Sequence, residues 1–256
     1  MKTRVRLTAR KEEIDADGLA DATAVVIDVL RATTSMAAAL AEGAAWVLPV
    51  AGADVARTRV AGWAGKEPRP LLAGEQELRQ PDDFDLGNSP QQFTAAAVQG
   101  RGVVMATTNG TVAVERARSH ARQVIAASLI NREAVCQWLV GNDCDCVEII
   151  CSGSAGSFSL EDWLAGGLII DGLLRHGMAV DLEDKARAAW LASRQEWHAL
   201  YEALLQGRAA RRLTALGMEQ DVVFTLRLDV IDMVPLLREE RFVDASRSLA
   251  DAEPTH

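Results

Sequence analysis

The chain has 256 residues, 49% of them hydrophobic, and a formal net charge of −9. That length and apolar content can bury one large core or two modest ones, which excludes a binding peptide or a disordered tail. The acidic balance, with no Lys/Arg cluster interleaved with aromatics, argues against nucleic acid and acidic membranes as partners. An anionic small ligand then needs a locally positive pocket or a metal ion, because the overall field repels it.

The start of the chain, Met1 to Arg6, shows neither the apolar stretch nor the small-residue cleavage site of a secretory signal, and no later run is long enough to span a bilayer. The expected compartment is therefore the cytoplasm. From about residue 24 to 175, short β-branched runs alternate with longer amphipathic ones, the pattern of strands joined by helical crossovers. Strands are predicted over Ala24–Val29, Trp46–Val50, Gly102–Ala106, Gln123–Ala126 and Cys146–Cys151. Helices are predicted over Thr33–Glu42, Pro90–Gln99, Thr111–Arg118, Asn131–Val140 and Leu160–Arg175. The stretch Gly65–Ser89, rich in Gly, Pro, Asp and Asn, is expected to be irregular.

Beyond Gly177 the spacing of Ala186, Trp190, Trp197, Tyr201 and Leu204 predicts one long helix over Leu182–Leu205. A second helix is predicted over Ala209–Leu216, then a pair of strand segments over Val222–Val230. The expected class is α/β: a three-layer α/β/α arrangement with a mostly parallel or mixed sheet and a helical C-terminal portion packed on it. One domain over 1–256 is expected, with a possible subdivision near 178. Cys136, Cys144, Cys146 and Cys151 match neither a zinc spacing nor a disulfide framework and are expected to be buried, reduced thiols.

In open parallel sheets the ligand sits beyond the carboxyl ends of the strands, so the residues after each apolar run carry the information. Asp28, Arg31, Thr33, Thr34 and Ser35 follow the first strand; Thr107, Thr108, Asn109, Gly110 and Thr111 follow the Gly102 strand; Ser152, Gly153 and Ser154 follow the Cys146 strand. The irregular loop supplies Asp85-Leu-Gly-Asn-Ser-Pro90, with Asn88 and Ser89. Hydroxyl- or Gly-rich turns that feed helices present free N–H groups and the positive end of a helix dipole, an anion cradle. Each turn taken alone is equally an ordinary helix cap. Asp28 either caps the next helix or coordinates a cation, and Arg31 either grips a phosphate or pairs with Asp28. Glu161 and Asp162, in the first turn of a helix, either complement its dipole or form a second cation site, since hard ions such as Mg2+ bind through one or two carboxylates plus water and substrate oxygens.

No G-x4-G-K-[ST] loop is present, and Leu30 stands where a phosphoaspartyl phosphatase has its second Asp. His120, His176, His198 and His256 form no metal spacing. Cys151 has no nearby cation in sequence to activate it.

Taken together, Val26-Ile-Asp-Val-Leu-Arg-Ala-Thr-Thr34, Asp85-Leu-Gly-Asn-Ser-Pro90, Thr107-Thr-Asn-Gly-Thr111 and Phe158-Ser-Leu-Glu-Asp162 with Ala165-Gly166 resemble the 2-phosphosulfolactate phosphatases of coenzyme M biosynthesis. Asp221-Val-Val-Phe224 with Val234-Pro235 adds a weaker match, and the likeness runs from about residue 20 to 240. The resemblance implies a Mg2+-dependent hydrolase, acting on 2-phosphosulfolactate to give 3-sulfolactate and phosphate, and a homodimer. It implies that Asp28, Glu161 and Asp162 hold or orient Mg2+ while Arg31, Thr33, Thr34, Asn109 and Thr111 surround the phosphate. Asp28, Glu75 or Glu161 would orient the attacking water. The pattern departs at Gly74-Glu75-Gln76, where Gly-Glu-Arg is expected, so the particular ester is less determined than the reaction. The alternatives are a phosphatase of another small phosphoester, or a non-catalytic sensor that binds a phosphorylated metabolite.

Overall fold

The computed structural model describes residues 2–63 and 68–246. One of its fully buried strands shows why the chain alternates as it does. In β2 (Thr23–Ile27) every residue is buried, with Val25 and Ile27 in one apolar cluster and Ala24 and Val26 in another on the opposite face. A strand covered on both faces has to be apolar throughout, and successive side chains divide between two cores.

The remaining elements, in chain order, are β1 (Thr3–Thr8) and α1 (Ala16–Leu19) before β2. After it come α2 (Ala32–Ala41), β3 (Trp46–Ala51), α3 (Ala53–Ala61), β4 (Leu71–Gly74), α4 (Ala95–Val98), β5 (Gly102–Thr107) and α5 (Gly110–Arg118). Then follow β6 (Gln123–Ala127), α6 (Arg132–Gly141), β7 (Cys146–Cys151), α7 (Leu160–Arg175), β8 (Val180–Leu182), α8 (Asp184–Ser193), α9 (Trp197–Leu205), α10 (Arg208–Ala215), α11 (Glu219–Thr225), β9 (Pro235–Arg238) and β10 (Arg241–Asp244). The fold is α/β. Ten strands of the described residues form one mixed, mostly parallel sheet in the order β4-β5-β3-β10-β9-β6-β2-β7-β1-β8.

Two parallel blocks make up this sheet. One is β4-β5-β3 and the other β6-β2-β7-β1-β8, and the antiparallel hairpin β9-β10 lies between them. The hairpin is attached to each block at a single pair, Phe242 with Val47 and Leu236 with Ile125. Three successive antiparallel pairings thus separate β3 from β6. The loops expected along one carboxyl edge of a parallel sheet come instead from two blocks of opposite sense, and they meet through the helices that leave the strand ends. Residues of α6, α7, α8, α9, α10 and α11 fill one apolar cluster against β1, β2 and β7, and residues of α2 and α5 fill the other. A third cluster lies between α3 and the strands β3, β4 and β5.

Several expected elements differ. The helix predicted over Leu182–Leu205 is two, α8 and α9, because Glu196 takes an extended conformation and starts α9 afresh. No Gly or Pro marks that break, so periodicity alone carried straight through it. The strand pair predicted over Val222–Val230 is the end of the helix α11 and an irregular stretch after it; Asp221, Val222 and Thr225 of the helix and Leu226 just beyond it are buried while Val223 is exposed. That stripe is helical, and tertiary burial overrides the β-propensity of Val222-Val223. Pro90–Gln99 is a 3-10 turn at Pro90–Gln92 followed by α4 rather than one helix. Within Gly65–Ser89, of which residues 65–67 lie outside the described residues, Leu71–Gly74 forms β4. The four cysteines are free and buried, as expected, and His256 lies outside the described residues. Among the described residues no helix is long and apolar enough to cross a membrane.

Candidate active site

Asp28 is the first residue after β2, where the chain leaves the sheet for α2. Its carboxylate accepts the N–H of Ala32 at 3.3 Å, and the N–H at Gly110, the first residue of α5, lies on the same group. That contact depends on glycine, since a Cβ at residue 110 would stand 2.5 Å from Ala32 Cβ and 2.9 Å from Asp28 Oδ2. Burial pushes the Asp28 carboxyl up to about 6, and the neighbouring carboxylates Glu161 and Glu75 add to the rise against the two N–H groups.

Asp162 ties together the ends of the neighbouring strands β2 and β7. Its Oδ1 accepts the N–H of Val29 at 2.9 Å and its Oδ2 that of Gly153 at 3.2 Å, while its own N–H is capped by Ser159. Burial, then Asp28, then Glu161 hold its carboxyl well above the usual range. Glu161 is buried as well, and burial raises it against the hydroxyl of Ser159, its own N–H and Arg208. Dipole complement is therefore a small part of what this pair does.

Glu75 arrives from the other block. It follows Gly74, which has φ +132 and lies so close to β5 that a Cβ would be 1.9 Å from the Ala106 carbonyl oxygen, so the chain passes there only as glycine. Glu75 Oε1 accepts the N–H and the hydroxyl of Thr108, and Oε2 accepts the N–H of Leu78 at 2.6 Å. Gln76 and Arg79 exchange backbone hydrogen bonds around Glu77 (φ 53) and Leu78 (φ 69), a two-residue turn with both central residues left-handed. A leucine in that region is strained and persists where its surroundings fix it, here Glu75 on its N–H and Arg31 on its carbonyl.

Arg31 does not pair with Asp28. Its Nη1 lies 2.6 Å from Oδ2 of Asp221 in α11, and Nη2 reaches the Leu78 carbonyl at 3.2 Å. The hydroxyl of Ser89 donates to the other oxygen of Asp221. With Arg31 turned to Asp221, the charges around Asp28 are carboxylates.

The hydroxyls read as phosphate ligands divide into two groups. Thr33, Thr34 and Ser35 are fully buried and point inward, to the carbonyls of Ala127, Val29 and Asn88, so these hydroxyls build the turn. Thr111 likewise donates to the Thr107 carbonyl. Ser152 Oγ and Asn88 Oδ1, by contrast, are buried without a partner. Unpaired polar atoms in such positions are rare in folded proteins and mark places that await a ligand or water. Asn109 makes no cap bond; its Oδ1 accepts instead from Lys11.

Lys11 is a residue the sequence did not single out. It follows β1, is 6% exposed, and its Nζ reaches Asn109 Oδ1 at 3.0 Å and the Ser152 carbonyl at 3.3 Å. Nothing in Arg10-Lys11-Glu12-Glu13 distinguishes it from a solvated lysine. Its burial follows from the pairing of β1 with β7, which sets it against the Ser152 turn.

The donor set suits a hard divalent cation. Burial raises the carboxyls of Asp28, Glu161 and Asp162, Glu161 adds to the rise at Asp28, and Asp28 and Glu161 add to that at Asp162, the condition a bound ion would relieve. No three His, Cys, Asp or Glu side chains among the described residues converge as a preformed cage. A cavity of about 730 Å³ lined by Glu42, Phe93, Phe224 and Met233 contains none of these groups, so chemistry rather than volume locates the site. Burial pushes the Cys151 thiol well up, which leaves it an inert core residue.

The family model for 2-phosphosulpholactate phosphatase matches residues 8–240. A probable 2-phosphosulfolactate phosphatase of Thermotoga petrophila is 38% identical over 221 residues, 86% of this chain and 91% of its own. Proteins with the same name from a Synechococcus species and from Deinococcus radiodurans are 40% identical over 234 residues and 39% over 216, covering 88% and 84% of this chain and 92% and 87% of theirs. Match and coverage together show that the chain belongs to the 2-phosphosulpholactate phosphatase family and is a phosphoric monoester hydrolase.

Proposed function

We propose that the protein hydrolyses 2-phosphosulfolactate to 3-sulfolactate and phosphate, with Mg2+. The observation that carries this reading is the meeting of Asp28, Glu161 and Asp162 with the N-terminus of α5 and the unpartnered Ser152 Oγ, carboxylates beside an anion cradle. The substrate follows the names of the relatives.

Asp28 and Asp162 would hold Mg2+, which when bound neutralises phosphate oxygens and lets both carboxylates stay ionised. The positive end of the α5 dipole draws in the phosphate, and Ser152 Oγ donates to one of its oxygens, which fixes phosphorus for in-line attack. Glu161, whose hydrogen bonds are to Ser159 and its own N–H, orients the attacking water and takes its proton at a carboxylate oxygen. Glu75 is occupied at both oxygens by Thr108 and Leu78 and serves to hold those loops in place.

A phosphate-release screen over phosphorylated hydroxy acids, with and without Mg2+, tests the reading. Release from 2-phosphosulfolactate above all other esters, abolished by chelator, is the expected result. Chelator-indifferent binding of the ester with no release would replace it with a sensor.

A further inference from the structure

A lysine ammonium taken out of water needs partners. Those of Lys11 are unusual in kind: Asn109 Oδ1 and the Ser152 carbonyl are neutral acceptors, which orient the ammonium without neutralising it. The charged partner is Glu12, 3.2 Å away, whose side chain is 39% exposed and therefore weakly held. The backbone is fixed as well, since Arg116 of α5 donates to the Lys11 carbonyl at 2.8 Å. Ser152, whose carbonyl Lys11 contacts, carries the fully buried hydroxyl without a partner, and Asn109 is the residue that opens α5. An oriented cation, an unused hydroxyl and the positive end of a nine-residue helix thus converge.

We infer that Lys11 binds the phosphoryl group of the substrate, together with Ser152 Oγ and the first turn of α5, and that the phosphate displaces Glu12 from the ammonium. The inference rests on the phosphatase reading above for the nature of the ligand. It assigns the fixed positive charge that a phosphate requires among these carboxylates and that Arg31, held by Asp221, does not supply.

The test is calorimetric titration of the whole protein with inorganic phosphate and, separately, with the dephosphorylated hydroxy acid, alongside steady-state kinetics, for wild type, Lys11→Met, Lys11→Arg and Glu12→Gln. Lys11→Met is expected to weaken phosphate binding by about tenfold or more, the worth of one charge-assisted hydrogen bond, and to raise KM more than it lowers kcat. Lys11→Arg should recover part of the loss, and Glu12→Gln should bind phosphate more tightly than wild type. Wild-type phosphate affinity in Lys11→Met overturns the inference, and so does a loss confined to the hydroxy acid. Should Lys11→Met fail to fold, unchanged phosphate affinity in both Lys11→Arg and Glu12→Gln overturns it equally. A wild-type protein that binds phosphate through Lys11 yet releases none from any ester would leave this subsite standing while the phosphatase reading falls.

Discussion

Arg31 and Asp221, 190 residues apart in the chain, form a buried ion pair at 2.6 Å that joins the turn after β2 to the helix α11. The same aspartate accepts from Ser89, and the same arginine donates to the Leu78 carbonyl. Four separated segments thus close around one pair, and a family motif that looked weak in the sequence acquires a role. Removing one member of a buried pair leaves the other as an unsatisfied charge. Asp221→Ala is therefore expected to cost about 3 kcal/mol of stability. Arg31→Met combined with Asp221→Leu should recover much of it. Thermal unfolding of the singles and the double measures this, and additive losses would show that the two side chains do not depend on one another.

Asp28 makes stability depend on pH in an unusual sense. Its folded value of about 6 lies above the ordinary 3.8, so the folded state holds the proton more tightly than the unfolded one. Stability from this group is present at low pH and is lost as pH rises from about 4 to about 6, by roughly 3 kcal/mol for a shift of this size. In chelator at pH 7.5, Asp28→Asn should therefore melt above wild type while losing most Mg2+-dependent activity. A melting temperature below wild type would contradict the burial argument.

Gly110→Ala places a methyl group where Ala32 Cβ and Asp28 Oδ2 already stand. The small residue has to push α5 and Asp28 apart, a displacement that costs on the order of 1–3 kcal/mol and roughly a hundredfold in rate. Parallel kcat and melting curves check it. Near-normal turnover would mean that the approach of α5 to Asp28 is unimportant.

Glu75→Gln keeps the size of the side chain but replaces one acceptor with an NH2 group facing the donors of Thr108 or Leu78. A loss of about 1–2 kcal/mol is expected, the cost of leaving a donor unmet. Faster amide exchange at Leu78 and Thr108 should accompany it, and protection equal to wild type at both amides would count against the strut role.

Much of the fold was legible because burial on both faces forces β2, β5 and β7 into apolar runs, interrupted in β7 by Glu148, a signal that needs no neighbour to interpret. The edge and hairpin strands were not. β4 has four residues, β8 has three, and β9 and β10 are held by pairing with each other, so none is long enough to show a period, while β1 alternates Arg4 and Arg6 with the buried Val5 and Leu7, a weaker signal than an apolar run. The turns after β2, β5 and β7 were visible as polar clusters after apolar runs, and α7 began and ended where its spacing placed it.

For Asp28, the sequence by itself determined the position, a carboxylate at the end of a buried strand. Only the tertiary structure decided which groups that carboxylate meets. Arg31 went to Asp221, Thr33 to Ser35 turned into the core, and Lys11 was drawn in beside Ser152. The reason is physical: backbone periodicity fixes where a side chain leaves its own element, whereas its partner is set by which distant segments the packing of two sheet blocks brings within hydrogen-bond reach.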